Sequence, residues 1–413
     1  MIHITDKRDC CGCAACVQRC PKHCIALRED SEGFFYPEVD VSACIGCGLC
    51  ERVCPLIGEH EKSAPIDVLA VKNRNEEERM ASSSGGVFVT LARYVIERGG
   101  VVFGAVFDGA WEVVHTYTET FDGVRPMMGS KYVQSRIGNS FNDAERFLKA
   151  GRLVLFTGSP CQIAGLRGFL RKDYENLLAV DFLCHGVPSP GVWRRYLDET
   201  FCRSARRAAA GKNTVLSSSL KSLPVIAGIE FRDKEMFGWK KFSFVVCGES
   251  AVKADKNSVL LSAKHYENAY MRGFLADVYL RPSCYCCRCK NGVSRSDLTI
   301  ADFWGIGSLM PDFDDDKGVG LVLVNSIKGK SVFDSLDMEV RSASLVDAKR
   351  FNGGFKEQVR VHPKRGEFFN LLKNGATVED AVRKALAVSL CRRLLQKAKV
   401  AARTIKRMKK GNI

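Results

Sequence analysis

No apolar run in this 413-residue chain reaches about 18 residues, so a transmembrane helix is not expected. The opening residues, MIHITDKRDCC, have no apolar core, so an export leader is not expected either. No GxGxxG follows a strand-like segment, which leaves a Rossmann-type nicotinamide site without support. Acidic residues are missing from residues 381–413, where eleven Lys or Arg fall. The formal charge of +15 therefore describes mostly that tail, and the nearly neutral body gives little reason to expect a nucleic-acid partner.

Cysteine is what the chain has in excess. There are nineteen, ten of them in the first 54 residues. Without an export signal, and with enough length for an apolar core, such density points to metal or redox sites rather than disulfide staples. The segment CCGCAACVQRCP recurs as CIGCGLCERVCP 34 residues later. Cys10, Cys13, Cys16 and Cys20 are spaced CxxCxxCxxxCP, and Cys44, Cys47, Cys50 and Cys54 repeat that spacing. This is the bacterial two-cluster run, in which the fourth cysteine of each motif ligates the other cluster. One 4Fe-4S cluster then takes Cys10, Cys13, Cys16 and Cys54, and the other takes Cys44, Cys47, Cys50 and Cys20. Gly12, Ala14, Ala15, Gly46 and Gly48 are small enough to let backbone N–H groups approach the sulfides, and Pro21 and Pro55 turn the chain away. Two zinc sites would need only paired CxxC units and give no reason for the third cysteine. Cys11 and Cys24 fall outside the pattern and read as spare thiols.

Beyond a linker, GEHEKSAP, the chain reads as α/β. DVLAVKN, VVFGAVFD, RLVLFTGSP, ENLLAVDFLCHG, LTIADFWGI and GVGLVLVNS read as strands. SSSGGVFVTLARYVIERGG and FNDAERFLKAG read as helices, and IEFRDKE with KKFSFVVCG as two antiparallel strands meeting near Gly238. Residues 203–223, rich in Ser, Ala and Lys, read as an exposed insertion. The expected fold class is α+β/α/β: a ferredoxin domain over 1–58, a mixed α/β flavin-binding unit in two parts over 66–145 and 150–330, and a basic helical tail over 375–413. In the tail, Val382, Leu386, Leu390, Leu394, Ala398, Ala401, Ile405 and Met408 form one apolar stripe on a basic helix. Such a helix can lie on an anionic membrane surface as a peripheral contact, dock on the body, or bind a partner.

SSSGG before an apolar helix places Ser82 to Gly86 at a helix N-terminus, where free N–H groups and the dipole favour phosphate. Plain capping by serine explains the same residues. GSKYVQS offers a cation at Lys131, with Tyr132 and Gln134 as polar or stacking groups; a surface turn is the alternative. Cys161 and Cys184 each follow a strand-like segment, where loops of α/β folds converge.

Five stretches taken together, SSSGGVF with GSKYVQS, TGSPCQIAGLR, CHGVPSP, GFLADVYLRPSCYCC and LTIADFWG, resemble the beta subunits of coenzyme F420 hydrogenases and dehydrogenases. The likeness looks nearest to the bacterial branch found at polysaccharide loci. It implies an oxidoreductase with FAD, bound by Ser83, Ser84, Gly85, Gly86, Lys131, Tyr132 and Gln134. It also implies a third 4Fe-4S cluster near the flavin, on Cys161, Cys184, Cys284 and Cys287. Cys286 and Cys289 make a second, overlapping CxxC and leave the ligand choice in RPSCYCCRCK open, with a zinc knuckle as the alternative. Cys161 could instead be a nucleophile, and His185 is a candidate proton donor or a hydrogen-bonding neighbour of the ligand loop. Asp302, Trp304 and Gly305 read as packing around the cofactor, and Cys202, Cys247 and Cys391 as core or spare thiols. The expected function is to pass electrons from the N-terminal clusters through the third cluster to FAD and a bound substrate. The donor would be a ferredoxin or a reduced nicotinamide or deazaflavin coenzyme, and the substrate a small or sugar-related molecule. Other readings are an electron-transfer subunit of a larger complex and a redox or iron sensor. A cytoplasmic location, with contact at the inner membrane surface through the tail, completes the expectation.

Overall fold

The computed structural model describes residues 1–58, 61–203, 226–249, 257–355 and 359–387. The inferred insertion at 203–223 lies, but for its first residue, outside these, as does the tail beyond 387.

The N-terminal module pairs β1 (Ile25–Glu29) with β2 (Phe35–Val39) in an antiparallel ribbon and adds two one-turn helices, Ala15–Gln18 and Leu49–Arg52. Each helix is preceded by a left-handed residue, Ala14 at φ 61° and Gly48 at φ 67°, so the sequence repeat is also a backbone repeat.

The body is built on β3 (Asp67–Asn73), β4 (Val101–Phe107), β5 (Val113–Thr118), β6 (Val154–Gly158), β7 (Leu177–Phe182), and a separate group β8 (Ile226–Asp233), β9 (Ser243–Glu249) and β10 (Asn257–Lys264). It is completed by β11 (Leu298–Asp302), β12 (Gly320–Val324) and β13 (Met338–Ser342). Eight strands form one mixed sheet in the order β13-β3-β12-β11-β7-β6-β4-β5. Its centre, β11-β7-β6-β4, is parallel, and both flanks are antiparallel. Strands covered on both faces need continuous apolar runs; β12 (GLVLV) is buried at every residue and β7 (LLAVDF) at all but the last. The expected segments 66–145 and 150–330 contribute interleaved strands to this one sheet and are a single structural unit, which β13 extends beyond 330.

β8, β9 and β10 form an antiparallel sheet whose first turn passes Gly238 at φ +76°. It packs an aromatic core including Trp193, Phe231, Phe244, Tyr270 and Tyr279. The helix Val378–Leu386 closes this core with Val378, Ala381, Val382 and Ala385 buried. It ends at Ala387, which is extended. The start of the tail is thus docked on the body, and the stripe foreseen as one continuous helix is interrupted there.

The ferredoxin module seats against the helix Pro160–Leu170. A side chain at Gly168 would meet the Val53 carbonyl oxygen at 2.6 Å, and one at Gly165 would meet Cys13 Cβ at 2.8 Å. Two glycines three apart therefore admit the module at backbone contact. Arg281, 1% exposed, ties the junction by donating to the carbonyls of Cys10 (2.8 Å) and Phe35 (2.9 Å) and to Gln134 Oε1 (3.0 Å).

Candidate functional site

The eight motif cysteines sort into two groups. Cys20, Cys44, Cys47 and Cys50 line one small void at the surface. Cys10, Cys13, Cys16 and Cys54 gather at the junction with the body. Burial, then the charges of Cys10 and Cys54, push the Cys16 thiol up to about 12. Burial and Cys10 likewise raise Cys54. Cys13 is raised as well: a contact with Cys11 pulls it down, but burial and the neighbouring Cys16 and Cys54 outweigh that. The crossed partnership, with the fourth cysteine of each motif in the other group, is what these neighbourhoods show. Thiols raised in this way are held as thiolates only when a metal displaces their protons.

Three further chain segments bring a third set together. Cys161 follows β6 and Cys184 follows β7, and the parallel pairing of those strands puts both loops at the same sheet edge. Cys161 is the second residue of the helix Pro160–Leu170, whose start is fixed by Gln162 accepting the Ser159 N–H at 2.9 Å. The turn Pro282–Cys286 carries Cys284 to the same place, with Cys287 just beyond it. All six pairs among Cys161, Cys184, Cys284 and Cys287 lie close enough for one thiolate to raise another. Burial and this crowding push Cys284 up to about 12 and Cys184 higher still. Cys286 stands apart: its strongest charged neighbours are Arg288, Arg8 and Asp9. Cys289 is fully buried beside Cys161, Cys287 and Cys54, and Cys11 contacts both Cys13 and Cys161. Cys11, which reads as spare from sequence, thus sits with Cys289 between the first motif and the third set. Among the described residues no three His, Cys, Asp or Glu side chains close on a single-ion position; a four-iron cube instead holds its thiolates at separate corners.

Against this thiol nest lies a cavity of about 670 Å³. Ser83, Ser84, Gly85, Gly86, Lys131, Tyr132, Gln134 and His185 all line it. The helix Val87–Ile96 starts at Gly86, left-handed at φ +82°, and no side chain caps it. The three serines are used elsewhere: Ser82 on the Glu78 carbonyl, Ser84 on the Val319 carbonyl, and Ser83 as acceptor from Ser130 N–H at 2.7 Å. Capping by serine, the plain account of this motif, is not what the structure shows. A side chain at Gly85 would meet the Val71 oxygen at 2.3 Å, so the loop lies flat on the sheet.

The other predicted residues divide. Lys131 Nζ donates to the Met128 carbonyl at 2.9 Å, and burial lowers its ammonium to about 8. Tyr132 stacks near Phe274, ring centroids 4.8 Å apart. Gln134 spends its amide on the Cys11 carbonyl (3.0 Å) and Arg281, so it braces the ferredoxin junction. His185 Nε2 pairs with Asp277 Oδ1 at 2.6 Å. Asp302 takes an ion pair from Arg232 and a 2.7 Å bond from Trp239 Nε1, while Trp304 stacks on Trp239 at 4.8 Å. Asp302 and Trp304 line the cavity.

Sequence reasoning missed His115. It lies on β5 in the cavity wall, with Nε2 donating to the Thr157 carbonyl at 3.0 Å and Nδ1 buried without a partner. Burial pushes it down to about 4, so it is neutral near pH 7 and presents an acceptor nitrogen. A lone histidine in an apolar strand carries no motif that could have flagged it. Arg232, also in the wall, was missed for the same reason.

An uncapped helix start, a partly desolvated lysine and a cavity sharing a wall with clustered thiols define an iron–sulfur redox protein. Residues 9–56 match the 4Fe-4S dicluster domain family. Residues 151–345 match the family described as the C terminus of the coenzyme F420 hydrogenase/dehydrogenase beta subunit. The chain thus carries an N-terminal 4Fe-4S dicluster domain and belongs, through residues 151–345, to the family of F420 hydrogenase/dehydrogenase beta subunits. It is 22% identical over 185 residues to the F-type subunit of the F(420)H(2) dehydrogenase of Methanosarcina mazei, covering 42% of this chain and 53% of that one. The chain thus spans about half the length of that relative. It is 38% identical over 65 residues to Ferredoxin 7Fe of Hydrogenibacillus schlegelii, covering 16% of this chain and 77% of that one. Among solved structures, it is similar to a chain of the xenon-derivatised F420-reducing [NiFe] hydrogenase complex from Methanosarcina barkeri. There the TM-score is 0.43 at 15% identity, with 79% of this chain and 94% of that chain covered. Among the described residues no helix is long and apolar enough to cross a membrane.

Proposed function

We propose that the chain is an iron–sulfur flavoprotein oxidoreductase with three 4Fe-4S clusters and one FAD, exchanging electrons between a redox donor and a small or sugar-related substrate. A ferredoxin or a reduced nicotinamide or deazaflavin coenzyme fits as donor. The carrying observation is the shared wall: Cys11, Cys161, Gly186 and Val187 border both the thiol nest and the 670 Å³ cavity. A cofactor in that cavity is separated from the nest by one layer of residues.

When bound, clusters carry electrons singly, and a flavin accepts them singly and delivers them in pairs. The chain's own residues do the rest. The open N–H groups at Val87 and the Lys131 ammonium attract phosphate. His115 Nδ1 offers an acceptor to a ring N–H or hydroxyl. Phe182, Phe274 and Trp304 keep water from the cavity wall. Asp277 holds the His185 ring by Nε2, so Nδ1 is the nitrogen that would give a proton to substrate.

Anaerobic purification with iron, sulfide, zinc and flavin measured on one sample tests this. About twelve irons and one flavin per chain is the expected result. About eight irons with no flavin, even after adding FAD, overturns it and leaves a carrier subunit or a sensor.

A further inference from the structure

Seven cysteines border the small void of the third site: Cys11, Cys161, Cys184, Cys284, Cys286, Cys287 and Cys289. A 4Fe-4S cluster takes four. The surplus is not spread evenly. Cys286 turns outward, its thiol 4.0 Å from the Arg8 carbonyl. Cys289 is fully enclosed, against Cys161, Cys287 and, from the ferredoxin module, Cys54. Cys11 is also buried and touches Cys161. On the far side of the void, the strongest charged neighbours of Cys184 are Lys290 and the other three members of the set. Those of Cys284 are Cys161, Cys287 and Arg281. Spare thiols therefore stand beside one pair of ligands and not beside the other.

We propose that Cys289 and Cys11 are reserve ligands of the third site: Cys289 can stand in for Cys161 or Cys287, Cys11 can stand in for Cys161, and Cys184 and Cys284 have no substitute. This rests on the third-cluster reading above. The exchange balances simply. The incoming thiol gives its proton to solvent and binds as thiolate, in place of the one thiolate that was removed, so the count of four thiolates and the charge are unchanged. The site then tolerates loss of a ligand on the ferredoxin-facing side only.

The test uses the full chain, purified anaerobically, with iron and sulfide per chain and the electron paramagnetic resonance of the reduced protein as readouts. The wild type should hold about twelve irons. Cys161→Ala and Cys287→Ala should keep about twelve, with a shifted resonance from the changed ligand. Cys184→Ala and Cys284→Ala should fall to about eight, and so should the double variant C287A/C289A. A fall to eight in Cys161→Ala or Cys287→Ala overturns the proposal, as does retention of twelve in the double variant. Cys289→Ala alone, the mildest change, should keep twelve; a fall to eight makes Cys289 a primary ligand and overturns it as well. The smaller Cys161→Ser and Cys287→Ser changes decide the same question if the alanine variants fail to fold. A wild type with only eight irons fails the third-cluster reading itself, which separates the two.

Discussion

The two halves of the ferredoxin repeat share spacing and backbone but not surroundings. In the first, Cys13, Ala14, Ala15 and Cys16 are buried, and a side chain at Gly12 would meet Gln134 Nε2 at 2.8 Å and Arg281 Nη1 at 2.9 Å. In the second, Cys47 is exposed, Ile45 is 60% exposed, and nothing lies within 4 Å of a side chain at Gly46. One half is an inward face pressed on the body beside the third thiol set. The other is an outward face open to a donor. Duplication supplied two equivalent metal loops, and docking on Gly165 and Gly168 gave them different positions in the chain of carriers.

Breaking the crossed ligation should have the largest effect. Cys54→Ala and Cys13→Ala should each lose about four irons and the same resonance, that of the inward cluster. Cys20→Ala and Cys47→Ala should lose the other one. If Cys20→Ala instead pairs with Cys13→Ala, the ligation is not crossed and the two faces are misassigned.

The inward side also keeps a carboxyl out of water. Burial raises Asp181, near the third set, to about 6, against the bonds from Ser294 and Thr299 hydroxyls that favour its charge. Its folded value lies above the unfolded one. Its contribution is therefore fully present below about 4, is lost as pH rises to about 6, and is a constant penalty above that. Asp181→Asn should remove that slope and stabilise the protein at neutral pH by up to about 3 kcal/mol, before any loss of hydrogen bonding. Denaturant midpoints at pH 4 and 7 check the sign. An unchanged pH slope would show that Asp181 is solvated.

Gly12 and Gly46 sharpen the contrast directly. Both are left-handed, φ +73° and +68°, so alanine costs each about 1 kcal/mol or more. Gly12→Ala must also displace Arg281, so it should lower the denaturant midpoint clearly more than Gly46→Ala. Equal costs would mean that the inward loop is free to move.

The smallest effect is electrostatic. Lys131 is lowered to about 8 by burial, so its ammonium discharges as pH rises past that value. Bound phosphate favours the charged form and moves the change upward. Flavin affinity, followed by fluorescence, should therefore hold at pH 7 and weaken by about tenfold toward pH 9–10. Lys131→Met should be weak at pH 7 already and lack that slope. A wild type whose affinity is flat across this range removes Lys131 from the phosphate site.

The local parts of this protein were legible. The strand DVLAVKN appears as Asp67–Asn73, the break after SSSGG is the start of Val87–Ile96, and the turn at Gly238 joins two antiparallel strands. Each depends on neighbours in sequence: apolar runs, helix starts, turn glycines. Readings that needed distant partners fared less evenly. Gln134 was named for the cofactor but holds the Cys11 carbonyl and Arg281. Cys11 was named spare but lies between two thiol sets. The periodic tail was named one helix, but Val378–Leu386 ends where its apolar face meets the aromatic core.

The sequence by itself determined the eight motif cysteines and the glycines between them, because a metal loop is closed by residues within a dozen positions of one another. Tertiary structure alone decided which half of the repeat faces inward. It also decided that residues 11, 161, 184 and 289 border one void and that His115 joins a serine–glycine loop in one cavity. Those neighbours follow from the parallel pairing of β6, β7 and β11 and from two glycines that let the ferredoxin module reach the sheet's edge, and neither is written in the spacing of the chain.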